Sequence, residues 1–201
     1  MIDTDKQIDR IIDVRDSIDL NKVTILTGGN GGGKSMVRKQ LGLICASQGI
    51  KSFSCCMDKR AGFDSNKGGF MVFDRDCEWL PTSINTFDTM EKFYQGKDLF
   101  VILDEIEIGM SEESQYGIAL HINKYLDEFR KNNHGMLIIT HSRWLVKYVD
   151  ADDFINMEGM TKEEWLNREI VPTDFTELAE QSNALFRALD DKMRAAKQKN
   201  C

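Results

Sequence analysis

Eight consecutive residues, Gly28-Gly29-Asn30-Gly31-Gly32-Gly33-Lys34-Ser35, combine open backbone, one ammonium and one hydroxyl in a single short run. The pattern is G-x-x-x-x-G-K-[ST], and the chemistry it suits is the holding of phosphate. Glycines carry no Cβ, so the chain can wrap a polyanion with its N–H groups turned inward. Lys34 is placed to reach the β- and γ-phosphates of a nucleotide, and the Ser35 hydroxyl to join a Mg²⁺ shell. Further along, Asp104-Glu105 supplies adjacent carboxylates. Asp104 suits a small hard cation held largely through its waters. Glu105 suits polarisation of the water that attacks a γ-phosphate. Thr140-His141-Ser142 then offers an imidazole, His141.

Each group needs an element to carry it. Val23-Thr24-Ile25-Leu26-Thr27 leads into the glycine run as an apolar strand, and a helix beginning near Ser35 leads out. That helix would add the positive end of its dipole to the phosphate site. Leu99-Phe100-Val101-Ile102-Leu103 and Met136-Leu137-Ile138-Ile139 are continuous apolar runs, the composition of strands buried on both faces of a parallel sheet. Ligands of open α/β sheets bind beyond the carboxyl ends of the strands. Asp104, Glu105 and His141 all sit just there in sequence, with the end of the acidic strand expected beside the phosphate loop.

The order of these motifs resembles the ATP-binding-cassette class of ATPases, in particular its soluble branch of RecF- and SMC-like proteins and small stand-alone ATPases. The resemblance spans roughly Val23 to Ser142 and implies an α/β P-loop NTPase fold, a mostly parallel sheet flanked by helices, with ATP and Mg²⁺ as ligands. It implies that Glu105 is the catalytic base and His141 the switch residue that senses the γ-phosphate. It also implies a homodimer or larger oligomer, or a protein partner, meeting the site at the loop Ile106-Glu107-Ile108-Gly109-Met110-Ser111. The class's Leu-Ser-Gly-Gly-Gln-like signature is not found between Lys51 and Lys97.

Composition bounds the alternatives. The 201 residues are 41% hydrophobic and 29% charged, enough for one well-cored domain over 1–201. Apolar runs are strand-sized, so no membrane span is expected. Five cysteines show neither metal-knuckle spacing nor a paired framework, and the acidic start Met1-Ile2-Asp3-Thr4-Asp5 lacks the order of a secretion signal, which together point to a cytoplasmic chain. A net charge of −7 argues weakly against non-specific nucleic-acid binding and leaves that question open, with Lys192, Arg194, Lys197 and Lys199 as the candidate basic arm.

The remaining elements follow from caps and stripes. Thr4-x-x-Gln7 with Ile8, Ile11 and Ile12 predicts a first helix. Ile50 to Met57 reads as a strand, with Cys55-Cys56 as small residues inside it. Asp58 to Gly69 reads as an exposed, mobile loop, Phe70 to Phe73 as a strand and Thr86 to Tyr94 as a helix. Ser111, with Ile118, Ile122, Leu126 and Phe129, predicts a long helix that ends at Asn132, Asn133 and Gly135. A short helix holds Trp144, Leu145 and Tyr148; Phe154 to Met157 forms an edge strand; Thr161-x-x-Glu164 caps a turn holding Trp165. Asp174-x-x-Glu177 opens a C-terminal helix whose stripe of Phe175, Leu178, Leu185, Phe186, Leu189 and Met193 packs on the sheet or on a partner. Two other functions share the glycine loop. One is a small-molecule or nucleotide kinase, with Arg143 as the nearby lid candidate. The other is a nucleotide-gated binding module with little turnover.

Overall fold

The computed structural model describes residues 4–56 and 99–172, and beyond them 174, 176, 178–180, 183–185, 187 and 188. The expectations for Asp58 to Gly69, Phe70 to Phe73, Thr86 to Tyr94 and the basic arm at Lys192 to Lys199 lie outside the described residues, as do Phe175, Phe186, Leu189 and Met193.

Among the described residues five strands lie among helices. In chain order they are α1 (Thr4–Ser17), β1 (Val23–Thr27), α2 (Lys34–Ser47), β2 (Lys51–Cys56), β3 (Leu99–Asp104), α3 (Glu112–Lys131), β4 (Gly135–Ile139), α4 (Arg143–Tyr148), β5 (Asp153–Asn156) and α5 (Lys162–Asn167). The described strands form one sheet in the order β2-β3-β4-β1-β5, and each pairing is parallel. The α/β architecture expected from the sequence, a parallel sheet flanked by helices with a glycine loop between its first strand and the next helix, is therefore present.

Every side chain of β1 and β4 is buried, which is what continuous apolar runs require of central strands. Alternation then splits them between two faces. Val23, Ile25, Val101, Leu103, Met136 and Ile138 pack with Ile118, Ile122, Leu126 and Phe129 of α3 and with Leu145 and Trp165. Leu26, Phe100, Ile102, Leu137 and Ile139 pack with Ile8, Ile11 and Val14 of α1 and with Val37, Leu41 and Cys45 of α2. Leu185 joins this second cluster, so its part of the C-terminal stripe packs on the sheet side rather than on a partner. Ile12, expected in the first helix's apolar stripe, is 36% exposed.

The caps are largely those the sequence announces. Ser111 and Ser142 accept from the third residue of their helices, and Thr161 with Glu164 forms a complete capping box. At the end of α3 the left-handed residue is Asn133, with φ 51°. Gly135 serves a different purpose: it opens β4, and a Cβ there would fall on the Leu20 carbonyl.

That contrast gives a stability test. Gly135→Ala should lower the unfolding free energy by about 1–3 kcal/mol, because backbone must move to admit the methyl. Gly42→Ala, inside α2 with nothing within 4 Å of the added carbon, should raise it by about 0.5–1 kcal/mol through helix propensity. Urea denaturation of the two variants checks both signs, and equal midpoints would contradict the packing described.

Candidate functional site

The sheet register puts the strand ends in line. Leu26 and Asp104 both stand opposite Ile139. Backbone bonds continue the ladder past the strands: Thr140 N–H to Leu26 O at 3.1 Å, Glu105 N–H to Ile139 O at 2.8 Å, and Met157 N–H to Thr27 O at 2.9 Å. Gly28, Glu105, Thr140-His141 and Met157-Glu158 therefore leave the sheet along one edge. The acidic strand is not the immediate neighbour of the strand feeding the glycine loop, because β4 lies between β3 and β1.

The loop has the conformation that its glycines permit. Gly31 has φ 77° and Gly33 φ 97°, both left-handed. A Cβ on Gly33 would also lie 2.5 Å from Ile11 Cδ1, so α1 packs directly behind the loop. Gln7, expected to help close the start of α1, donates its amide to the Gly31 carbonyl at 3.2 Å. Gly33 is the N-cap of α2, which has no capping side chain and no acid in its first turn. Helices α3, α4 and α5 each carry a side-chain cap. The start of α2 thus keeps its N–H groups for an anion. One loop N–H already holds one: Gly29 N donates to the Glu158 carboxylate at 2.5 Å.

Lys34 is only 6% exposed. Its Nζ donates to the carbonyls of Gly28 at 2.9 Å and Gly29 at 3.0 Å. Burial lowers its pKa, while the charges of Glu105, Glu158, Asp104 and Glu107 act in the opposite sense. The ammonium is surrounded by carboxylates from two separate segments, one at the end of β3 and one after β5.

Asp104 is buried and pairs with Arg38 Nε at 3.2 Å. Arg38 lies one turn beyond Lys34 on α2, so helix spacing alone brings both cations to the same edge. Glu105 has φ 51°, an uncommon backbone state for a residue with a side chain. Its Oε1 lies 3.3 Å from His141 Nε2, a distance that suits an ion pair, although the approach lacks the alignment of a full hydrogen bond. The His141 contact is the main cause holding the Glu105 carboxyl below its ordinary range; the charges of His141, Lys34 and Arg38 reinforce it, against burial. Ser35 is exposed at the start of α2. The described residues hold no group of three or more His, Cys, Asp or Glu side chains able to cage a metal. A cation here would need most of its oxygens from phosphate and water, and the hydroxyl and carboxylate of Ser35 and Asp104 are hard donors that fit Mg²⁺.

Glu158 carries no role in the sequence reading, and Glu107 enters it only as part of the Ile106–Ser111 loop. Glu158 follows the end of β5 at the same edge, the one signal that marks it. Glu107 shares a loop with Glu105, and its buried carboxylate accepts from Thr140 Oγ1 at 2.7 Å and His141 N–H at 2.9 Å. Arg143 donates to the Arg168 carbonyl at 2.7 Å.

No protein-family model matches the chain. It is 34% identical over 130 residues to the DNA mismatch repair protein MSH3 of the yeast Meyerozyma guilliermondii, a match covering 58% of this chain. The chain spans only 12% of that protein's length. Among solved structures it is similar to Cdc6p from Pyrobaculum aerophilum, with a TM-score of 0.37, 13% identity, 89% of this chain and 48% of that one covered. C. elegans PCH-2 gives a TM-score of 0.30 and 15% identity, over 76% of this chain and 42% of the other. The strand order and the glycine loop, rather than these distant likenesses, define the fold. Among the described residues no helix is long and apolar enough to cross a membrane.

A titration tests the electrostatics. Glu105 is lowered in the folded chain, so it contributes stability above its unfolded pKa, and that contribution fades as pH falls through the lowered value. His141→Ala removes the main cause, and the Glu105 carboxyl should then titrate at a higher pH. Carbon-detected NMR of the Glu105 side chain reads this directly; an unchanged titration would show that His141 does not set it.

Proposed function

We propose that the chain is a Mg²⁺-dependent, ABC-like ATPase that couples its nucleotide state to self-association or to a protein partner. The observation that carries the reading is the meeting of Lys34, Asp104, Glu105 and His141 at the carboxyl edge of a parallel sheet, next to an uncapped helix start. In this reading the backbone from Gly28 to Ser35 cradles the phosphates. Lys34 leaves its two carbonyl partners for phosphate oxygens, a stronger charge-assisted contact. Mg²⁺, held by Ser35 and Asp104, supplies neutralisation of phosphate charge. Glu105, kept ionised by His141, Lys34 and Arg38, accepts a proton as water attacks the γ-phosphorus and the bond to the bridging oxygen breaks. His141 stands beside Glu105 where it can follow the γ-phosphate.

Two features favour hydrolysis over phosphoryl transfer to an acceptor. The candidate base is ionised and has an imidazole against it. The lid candidate of the kinase reading, Arg143, is engaged with a backbone carbonyl. The likeness to a DNA mismatch repair protein supports a partner drawn from DNA-handling machinery. With a net charge of −7, contact with DNA would come through that partner more readily than through this chain's own surface.

Glu105→Gln keeps the side chain's shape and loses its basicity. The variant should bind Mg-ATP like the parent and release phosphate about 10²-fold more slowly or worse. If ATP binds tightly only in an assembled form, the same variant should sediment with Mg-ATP as a larger species than the nucleotide-free protein. Parental turnover would assign the base elsewhere. Slow turnover with unchanged mass at every protein concentration would leave a hydrolase without nucleotide-driven assembly.

A further inference from the structure

We propose that Glu107 is a positioning residue: its carboxylate locks the His141 backbone to the Ile106–Ser111 loop and so fixes where the imidazole stands beside Glu105. The proposal rests on the ATPase reading above.

Glu107 is 7% exposed. One carboxylate oxygen, Oε1, takes two hydrogen bonds from the segment that follows β4, from Thr140 Oγ1 and from the His141 backbone N–H. The network continues from there. Thr140 Oγ1 accepts from Ser142 N–H at 2.9 Å, and Ser142 Oγ donates to Gln115 Oε1 at 2.7 Å. Gln115 Nε2 donates to the Met110 carbonyl at 3.1 Å, and Met110 N–H returns to the Glu107 carbonyl at 3.0 Å. The ring closes on the loop where it began. It binds the loop after β3 to the turn after β4 through side chains that sequence separation does not connect.

The other oxygen, Oε2, is buried and has no hydrogen-bond partner among the described residues. A buried carboxylate satisfied on one side only is a costly way to join two loops, and buried polar groups are normally fully bonded. Two bonds converge on Oε1, and one of them comes from the residue whose ring touches the candidate base. Without that anchor the His141 backbone would lose its fixed distance from the end of β3, and the 3.3 Å approach of its ring to Glu105 would no longer be set by the fold.

The test compares Glu107→Ala, Glu107→Gln, His141→Ala and the double variant Glu107→Ala/His141→Ala. Readouts are ATP turnover, nucleotide affinity, and hydrogen exchange at the His141 amide. Glu107→Ala should lower turnover about tenfold or more through misplacement of the imidazole. Nucleotide affinity should change far less than turnover, since no phosphate contact is removed, and any change from losing the carboxylate's charge near Lys34 should appear equally in Glu107→Gln. Glu107→Gln should retain most of the turnover, because the amide oxygen can accept both bonds. In the His141→Ala background the alanine at 107 should cost nothing more, as expected of residues that act as one unit. The His141 amide should exchange faster in Glu107→Ala than in the parent. If Glu107→Ala does not fold, Thr140→Val removes one of the two donors to Glu107, together with the acceptor of the Ser142 N–H, while leaving the His141 N–H bond, and should show a smaller loss with the same non-additivity.

Independent, multiplying losses from positions 107 and 141 would overturn the proposal. So would a glutamine variant as impaired as the alanine one, or a His141 amide that exchanges at the parental rate. A parent with neither turnover nor nucleotide binding would defeat the ATPase reading. The amide measurement would then still decide whether Glu107 holds the His141 segment.

Discussion

An ammonium 6% exposed to solvent is expensive to keep charged, and the arrangement around Lys34 follows from that cost. Two loop carbonyls accept hydrogen bonds from it, and carboxylates at 104, 105, 107 and 158 supply the compensating field. Those acids come from the ends of β3 and β5, so the sheet register has to bring the strand ends level. The same acids would repel a polyphosphate were they alone. Arg38 at Asp104 offsets part of the negative charge, and the His141 imidazole stands against Glu105. The result is a balanced edge in which an incoming phosphate can replace backbone carbonyls as the partner of Lys34.

The backbone at this edge is as constrained as the charges. Gly33 must be left-handed and must leave room for Ile11, so the loop's shape depends on α1 packed behind it. Glu105 is also left-handed, which takes its side chain out of the strand's alternation and toward His141. Asn156 holds the turn that presents Glu158. Its side-chain oxygen accepts from Glu158 N–H at 2.9 Å and Met160 N–H at 3.1 Å, and its amide donates to Thr27 Oγ1 at 3.0 Å. The ends of β1 and β5 are thereby held together beneath the loop.

Much of this fold was legible in the sequence because its signals are local. Apolar runs marked the central strands, Ser111 and Thr161 marked helix starts, and the stripe from Ile118 to Phe129 marked the buried face of α3. The glycine loop and the residues at 104, 105 and 141 were likewise visible as motifs at strand ends. Strand order was not, since periodicity says nothing of which strands pair, and β4 stands where the acidic strand would be looked for. Arg38, Glu107 and Glu158 were missed for a related reason. Each is an ordinary charged residue in its own segment and gains meaning only from partners 33 to 129 positions away, as in the bonds from His141 and Thr140 to Glu107 and from Gly29 to Glu158. Gly135 shows the opposite error. It looks like a helix-stop glycine, yet what demands it is the Leu20 carbonyl across the sheet edge.

The central claim is that the buried ammonium of Lys34 exists to exchange two backbone carbonyls for phosphate oxygens. Calorimetric titration of Mg-ATP into the parent and into Lys34→Ala tests it most directly, because it reads binding whether or not the nucleotide is hydrolysed. The account predicts saturable binding by the parent and a loss on the order of 1.5–3 kcal/mol in the variant, the usual value of a charge-assisted hydrogen bond. Equal affinity in the two proteins would contradict it and would leave Lys34 as a structural cation that does no more than tie the glycine loop to the sheet edge.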